Sequence, residues 1–368
     1  MKKFSDVITS AVFFIILFMF AVSLMFFQHK ATFEEESLSH SEMSGTVNGF
    51  VKDNFPLSAN WKSLYANINV ALGKQQFGDI YLVGDRLIKT SKAVDKKRFE
   101  KNIDRINDFA GTTSVPVYVM TAPTASGVYS TELPPTAVKN DQRELIDKLY
   151  LGLDSSVGTI DAYYPLYSSR EEYVYYRTSD MWTSFGAYYA YSEAVKKLGL
   201  KAETLSSYDQ EYALSSYTGE LYDRVMYAGI TQDRINIFRS KYQSPVTSVE
   251  LFDGENTAEA KSVYFKNALK TDCETDVFLQ GDKYLRVTVK TKQEDAPRLL
   301  IIKGSYANTL APFFTPHYSE ITLVDPKIIK EQGGKLSDFV DITDYDQILV
   351  MFDIRSFCQA DYFDTLCS

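Results

Sequence analysis

The chain has 368 residues, 45% of them hydrophobic, and a formal net charge of −9. That length suits one large or two modest domains with a substantial core, while the acidic balance and the lack of any basic stripe argue against nucleic acid as a partner. The only histidines are His29, His40 and His317, and Cys273, Cys358 and Cys367 show no Cys-x-x-Cys spacing; no metal site and no other cofactor is expected.

Lys2 and Lys3 precede an uncharged run from Val7 to Phe27. As a helix this run is long enough to cross the ~30 Å of bilayer hydrocarbon, and the positive end should stay in the cytoplasm. A cleaved signal peptide is the alternative, but Phe26-Phe27-Gln28-His29-Lys30 follows where a small-x-small cleavage site would stand. Residues 1–30 are therefore expected to be a cytoplasmic stub and a transmembrane anchor, giving a single-pass protein of the cell membrane. Residues 31–52, acidic and Ser-rich, read as a stalk, and 53–368 as one extracytoplasmic domain. Outside the cell Cys358 and Cys367 could close a small C-terminal loop.

Trp61, Leu64, Tyr65, Ile68 and Leu72 fall on one helical face. Residues 78–88 read as a hairpin around Gly84-Asp85. A βα rhythm follows: a helix with Phe99, Ile103, Ile106 and Phe109 on its face, a buried strand at 115–120, a helix over 140–153 and a strand at 157–161. A further helix carries Ala187, Tyr191, Ala194, Val195 and Leu198 before Gly199. Strands are expected at 246–251, 276–281 and 284–289, in an added sheet or at the edge of the main one. The rhythm returns at Leu299-Leu300-Ile301-Ile302, 321–325 and 347–352. Alternation of this kind gives a three-layer α/β fold, a parallel sheet with helices on both faces.

Four apolar residues, 299–302, suit a strand buried on both faces, and Lys303-Gly304-Ser305-Tyr306 turns from it toward a helix. A Ser at a strand-to-helix turn is either a plain N-cap or a nucleophile with its hydroxyl displayed near backbone N–H groups. A nucleophilic Ser needs a base within hydrogen-bond reach. His29 abuts the membrane, His40 lies in the stalk, and His317, beyond the following helix, is expected to be too far away.

The order of these segments resembles the bacterial DHHW family, which is similar to the SGNH-type acyltransferases of alginate O-acetylation. The resemblance is carried by Asp53-Asn54-Phe55-Pro56, Asp79-Ile80-Tyr81, residues 119–124, Leu133-Pro134, Arg177-Thr178, Trp182-Thr183, Lys303 to Tyr318 and Tyr345-Asp346-Gln347. It implies an SGNH-hydrolase-like, flavodoxin-like domain with Ser305 at the nucleophile position. The family pattern Thr-Asp-His-His-Trp-Thr reads here Thr178-Ser179-Asp180-Met181-Trp182-Thr183, so the acid and base fall on Ser179 and Met181. Met cannot accept a proton, and Ser cannot hold an imidazole as an anion would. Lys-Asp-Ser has become Lys303-Gly304-Ser305, and a Gly-Asn pair matches Gly281-Asp282.

The expectation is thus a catalytically impaired descendant of an acyltransferase scaffold. Ser305 would be unassisted, with Asp180 the one weak candidate base. A cleft involving Arg177, Trp182, Tyr306 and Gly281 would bind a polysaccharide or a membrane-bound O-acyltransferase during cell-envelope or exopolysaccharide assembly. The alternative is an active serine-dependent polysaccharide O-acetyltransferase or acetylesterase using Ser305.

Overall fold

The computed structural model describes residues 10–15, 17–18, 57–91, 93–138, 140–241 and 245–367. The expected stalk lies outside these residues, as does most of the expected anchor. Among the described residues no helix is long and apolar enough to cross a membrane. The chain forms two compact units, Met1–Lys74 with Val225–Ala228, and Gln75–Arg224 with Gly229–Ser368. In the first, helix α1 (Ser58–Ala71) buries only Ala66, and the apolar face read from the sequence (Trp61, Leu64, Tyr65 and Ile68) is exposed.

The second unit opens with a three-stranded antiparallel sheet of β1 (Gln76–Phe77), β2 (Ile80–Val83) and β3 (Arg86–Lys89). Helix α2 (Lys96–Gly111) starts at Asp95, whose carboxylate accepts from Arg98 N, and leads to β4 (Val117–Ala122). Helix α3 (Gln142–Gly152), capped in the same way by Asp141, leads to β5 (Gly158–Asp161). Helix α4 (Ser184–Lys197) follows, with the Thr183 hydroxyl accepting from the N–H groups of Phe185 and Gly186. A Cβ at Gly186 would strike the Val174 carbonyl, so the helix can begin this close to the preceding hairpin only with glycine there.

The central sheet has eight strands. They are β4, β5, β8 (Val246–Phe252), β9 (Thr257–Ala260), β10 (Arg286–Thr291), β11 (Arg298–Lys303), β12 (Glu320–Val324) and β13 (Gln347–Asp353), in the order β5-β4-β13-β11-β12-β10-β8-β9. From β5 to β12 the pairing is parallel. Beyond β12 it is antiparallel, which corrects the all-parallel expectation to a mixed sheet. The apolar run of β11 is central, and its residues alternate between two cores. Leu299 and Ile301 face the cluster containing α4, and Leu300 and Ile302 face that of α2 and α3. β13 divides likewise, Leu349 and Met351 against Ile348 and Val350. This two-sided burial is what the unbroken hydrophobic run encoded.

Two further expectations change, and one element was not anticipated. Residues 276–281 form no strand: the first two close a 3₁₀ turn at Glu274–Val277, and the rest are a bridge residue and a turn. A separate antiparallel ribbon of β6 (Tyr208–Tyr217) and β7 (Asp233–Ser240) stands outside the main sheet. Cys358 is buried and Cys367 half-buried, and both are free thiols; the Cys367 Sγ lies 3.8 Å from the Arg105 carbonyl.

Candidate active site

The site is assembled from two loops and one strand end. Residues 174–183 form a tight hairpin: Tyr175 bridges Trp182, Tyr176 N–H donates to Met181 O at 3.2 Å, and Thr183 N–H to Val174 O at 3.0 Å. The fully buried Asp233 of β7 grips this hairpin. Its carboxylate accepts from Arg177 N and Thr178 N at 2.8 Å, from Thr178 Oγ1 at 2.5 Å and from Tyr173 OH at 2.6 Å. Asp233→Ala leaves several buried donors unpaired at about 1–3 kcal/mol each. It is expected to destabilise the protein by about 3 kcal/mol in urea unfolding; a change under 1 kcal/mol would show that the clamp does not hold the hairpin.

At the end of β11, Ser305 is half-buried and does not cap a helix. The short helix α5 (Ala307–Leu310) starts after Tyr306 without a side-chain cap. The Ser305 hydroxyl instead donates to the Asp282 carboxylate. Asp282 also accepts from Lys303 Nζ at 2.5 Å and from Asn308 Nδ2 at 2.8 Å. Lys303 is completely buried and touches a second carboxylate, Asp325, at 3.3 Å. Burial pushes the Lys303 ammonium toward neutrality, but Asp282 and Asp325 outweigh it and hold the group above the usual lysine range. Burial likewise pushes Asp282 upward, and Lys303, Ser305 and Asn308 overcome this, leaving it below the usual carboxylate range. Asp325 ends above that range, because burial exceeds the pull of Lys303.

The expectation that Ser305 would stand alone is therefore corrected: a carboxylate is its partner. The signal lay in the Gly281-Asp282 pair and in a lysine closing an apolar strand, and sequence reasoning gave Asp282 no role. Asp282 is nevertheless a poor base. Its conjugate acid is stronger than an ordinary carboxylic acid, so drawing a proton from an alcohol is steeply uphill. Where the family pattern has an amide able to donate, an ionised carboxylate can only accept, and its charge opposes an oxyanion forming at the attacked carbon.

The other expected site residues divide into those that reach Ser305 and those that do not. Met181 borders the same 180 Å³ cavity as Ser305, Asp282, Gly281, Trp182 and Tyr176. Ser179 is buried, and its hydroxyl accepts from Met181 N–H at 3.3 Å. Asp180 does not border the cavity. Its carboxylate pairs with Arg355, its N–H donates to Glu220 Oε1 at 2.7 Å, and burial, opposed by Arg355, pushes it up to about 6. It is no base for Ser305.

Trp182 is 0% exposed and donates its indole N–H to Tyr306 O at 3.1 Å, so it shapes the cavity floor without offering a face to ligand. The Tyr306 hydroxyl donates to Asp180 O at 2.5 Å. Arg177 pairs with Asp85 at 2.6 Å and lies over the Tyr173 ring, outside the lining. Gly281 has φ +65°, and its N–H donates to Phe278 O at 3.0 Å, so that donor is already engaged. His317 is held by the Tyr191 hydroxyl on α4 at 2.6 Å, and burial lowers its pKa; it takes no part in the cavity.

An acid directly before the serine does not suit the packing of this chain. A Cβ at Gly304 would lie 2.8 Å from Phe352 Cδ1, and Phe352 is fixed in the core against Phe363. An aspartate there would need that ring to move.

The sequence profile of the DHHW protein family matches residues 60–324. The chain belongs to the DHHW family. Similar solved structures include a DHHW family protein from Eubacterium siraeum, 21% identical with a TM-score of 0.60, covering 76% of this chain and 91% of that one. Bacillus cereus PatB1, described with a sulfonyl adduct, is 16% identical with a TM-score of 0.67 over 78% of this chain and 98% of its own. The O-acetyltransferase domain of Pseudomonas putida AlgJ superposes more loosely, with a TM-score of 0.47 and 12% identity over 77% and 96%. At these identities the shared property is the fold: a mixed α/β architecture around a large central sheet. Comparison with curated proteins gives no match.

Proposed function

We propose that this DHHW protein is a catalytically impaired member of an SGNH-like acyltransferase scaffold, acting in polysaccharide acetylation or cell-envelope glycan assembly by binding glycan or a partner enzyme. The supporting observation is the environment of Ser305: its hydroxyl bonds a carboxylate pinned by Lys303 and Asn308, and a thioether borders the cavity where the family pattern places imidazole. Removing the base of a serine triad costs up to about a millionfold in kcat. The apolar run Val7–Phe27 supports anchorage at the membrane with the domain outside.

The Ser305–Asp282 contact favours a second reading, slow serine-dependent transfer or hydrolysis of acetyl esters. Treatment with phenylmethylsulfonyl fluoride, followed by intact-mass measurement, separates the two. The wild-type protein is expected to stay unlabelled under conditions that label an active serine esterase. An adduct that disappears in Ser305→Ala would establish the second reading.

A further inference from the structure

Ser305 and Asp282 border a second cavity of 370 Å³, distinct from the one lined by Met181. Its walls come from helix α6 (Pro326–Glu331), helix α7 (Ile354–Gln359) and the end of β11. The topology explains why it is there. After β11 the chain turns to α5, whose Ala307 and Leu310 join the core on the α4 face. After β12 and β13 it turns to α6 and α7, whose Ile329 and Phe357 join the core on the opposite face. Neighbouring parallel strands whose next helices diverge leave a crevice at their carboxyl ends, the usual ligand position in open α/β sheets.

The lining is polar, and its carboxylates outnumber its ammonium groups. Lys303 is taken up by Asp282 and Asp325, and Lys327 stands 3.9 Å from Glu331. Three carboxylates thus face two ammonium groups, leaving a net negative wall that repels an anionic ligand. Gln359, exposed, and Tyr362, half-buried, line the same cavity; an amide and an aromatic ring together suit the hydroxyl groups and the apolar face of a sugar. The volume falls within the ~300–1,000 Å³ typical of small-ligand sites.

We propose that this cavity is a subsite for a neutral sugar unit, a hexose or N-acetylhexosamine, and that it excludes uronic acids. The inference rests on the glycan-binding part of the reading above and names its substrate class. It also moves the expected contacts from Arg177, Trp182 and Tyr306 to Gln359, Tyr362, Lys327 and Glu331.

The test is calorimetric titration of the full-length protein in detergent with chitotetraose, cellotetraose and tetramannuronate. At least one neutral tetrasaccharide should bind saturably and tetramannuronate about tenfold more weakly or not at all. Gln359→Ala, at an exposed position, and Tyr362→Leu should each weaken the neutral ligand about tenfold, the size of one lost hydrogen bond or ring contact, while Leu151→Ala, exposed on α3 and outside both cavities, should leave it unchanged. Equal or tighter binding of the uronate, binding indifferent to both substitutions, or no binding of either neutral glycan would each overturn the proposal. None of these results touches the reactivity of Ser305 toward the sulfonyl fluoride, which decides the catalytic part of the earlier reading separately.

Discussion

Replacing Ser179 by Asp together with Met181 by His is expected to raise Ser305-dependent hydrolysis of a small acetyl ester by about 10²–10⁴-fold, the usual contribution of a positioned general base. Residue 181 borders the serine's cavity, and the side chain of 179 reaches back to the N–H of 181. An imidazole at 181 would give the serine proton a destination that Asp282 cannot, and a carboxylate at 179 would orient and charge-balance it. Turnover should rise with pH through about 6.5 as the imidazole loses its proton, and should vanish when Ser305→Ala is added. Asp282→Asn in the same background exchanges an anion for an amide donor beside the developing oxyanion and should raise the rate further. A folded triple variant with no serine-dependent turnover would mean that positions 179, 181 and 282 are not what silences the site.

Much of the architecture was legible because it rests on local pattern. The 299–302 run announced a strand buried on both faces, and the spacing of Phe99, Ile103, Ile106 and Phe109 marked a helix that the structure places at Lys96–Gly111. The antiparallel half of the sheet was harder to read. β8 and β10 each bury alternate residues, a pattern that identifies strands but leaves pairing direction open, since direction depends on how the connections return. The ribbon of β6 and β7 was missed for a related reason: β6 is largely exposed and has irregular register, so no hydrophobic period marks it.

At the site, the residue pattern placed Ser305 at a strand end, and the family resemblance put Met181 at the base position, but the partner of Ser305 comes from a loop 23 residues away in the chain. Asp282 meets Ser305 only because β10 and β11 bring their ends into one sheet through β12. Asp180 failed as a base for a reason equally invisible in the sequence: Arg355, on α7, claims its carboxylate. Long-range charge pairing of this kind has no period and no local motif.

Lys303→Met is expected to be the most destabilising single substitution near the site. Removing one partner of a buried ion pair leaves the other uncompensated, at about 3–5 kcal/mol. Lys303 is 0% exposed and Asp325 only 8%, so the uncompensated charge is Asp325; Asp282, 43% exposed, can recover solvation. Without the ammonium, the Asp325 carboxyl moves still further above its unfolded value. The folded state then binds a proton more tightly than the unfolded chain, and stability falls as pH rises between the two pKa values. Urea unfolding should therefore show a smaller deficit for Lys303→Met at pH 5 than at pH 8, and adding Asp325→Asn should recover much of the loss at pH 8 with little effect at pH 5. A deficit independent of pH would assign the cost to lost packing of the lysine stem and not to the stranded charge. A pH-dependent one would show that the same ammonium that keeps Asp282 ionised and weakly basic also holds the carboxyl ends of β11 and β12 together. On that account the group that sets the charge of Ser305's partner is also part of what stabilises the fold around it.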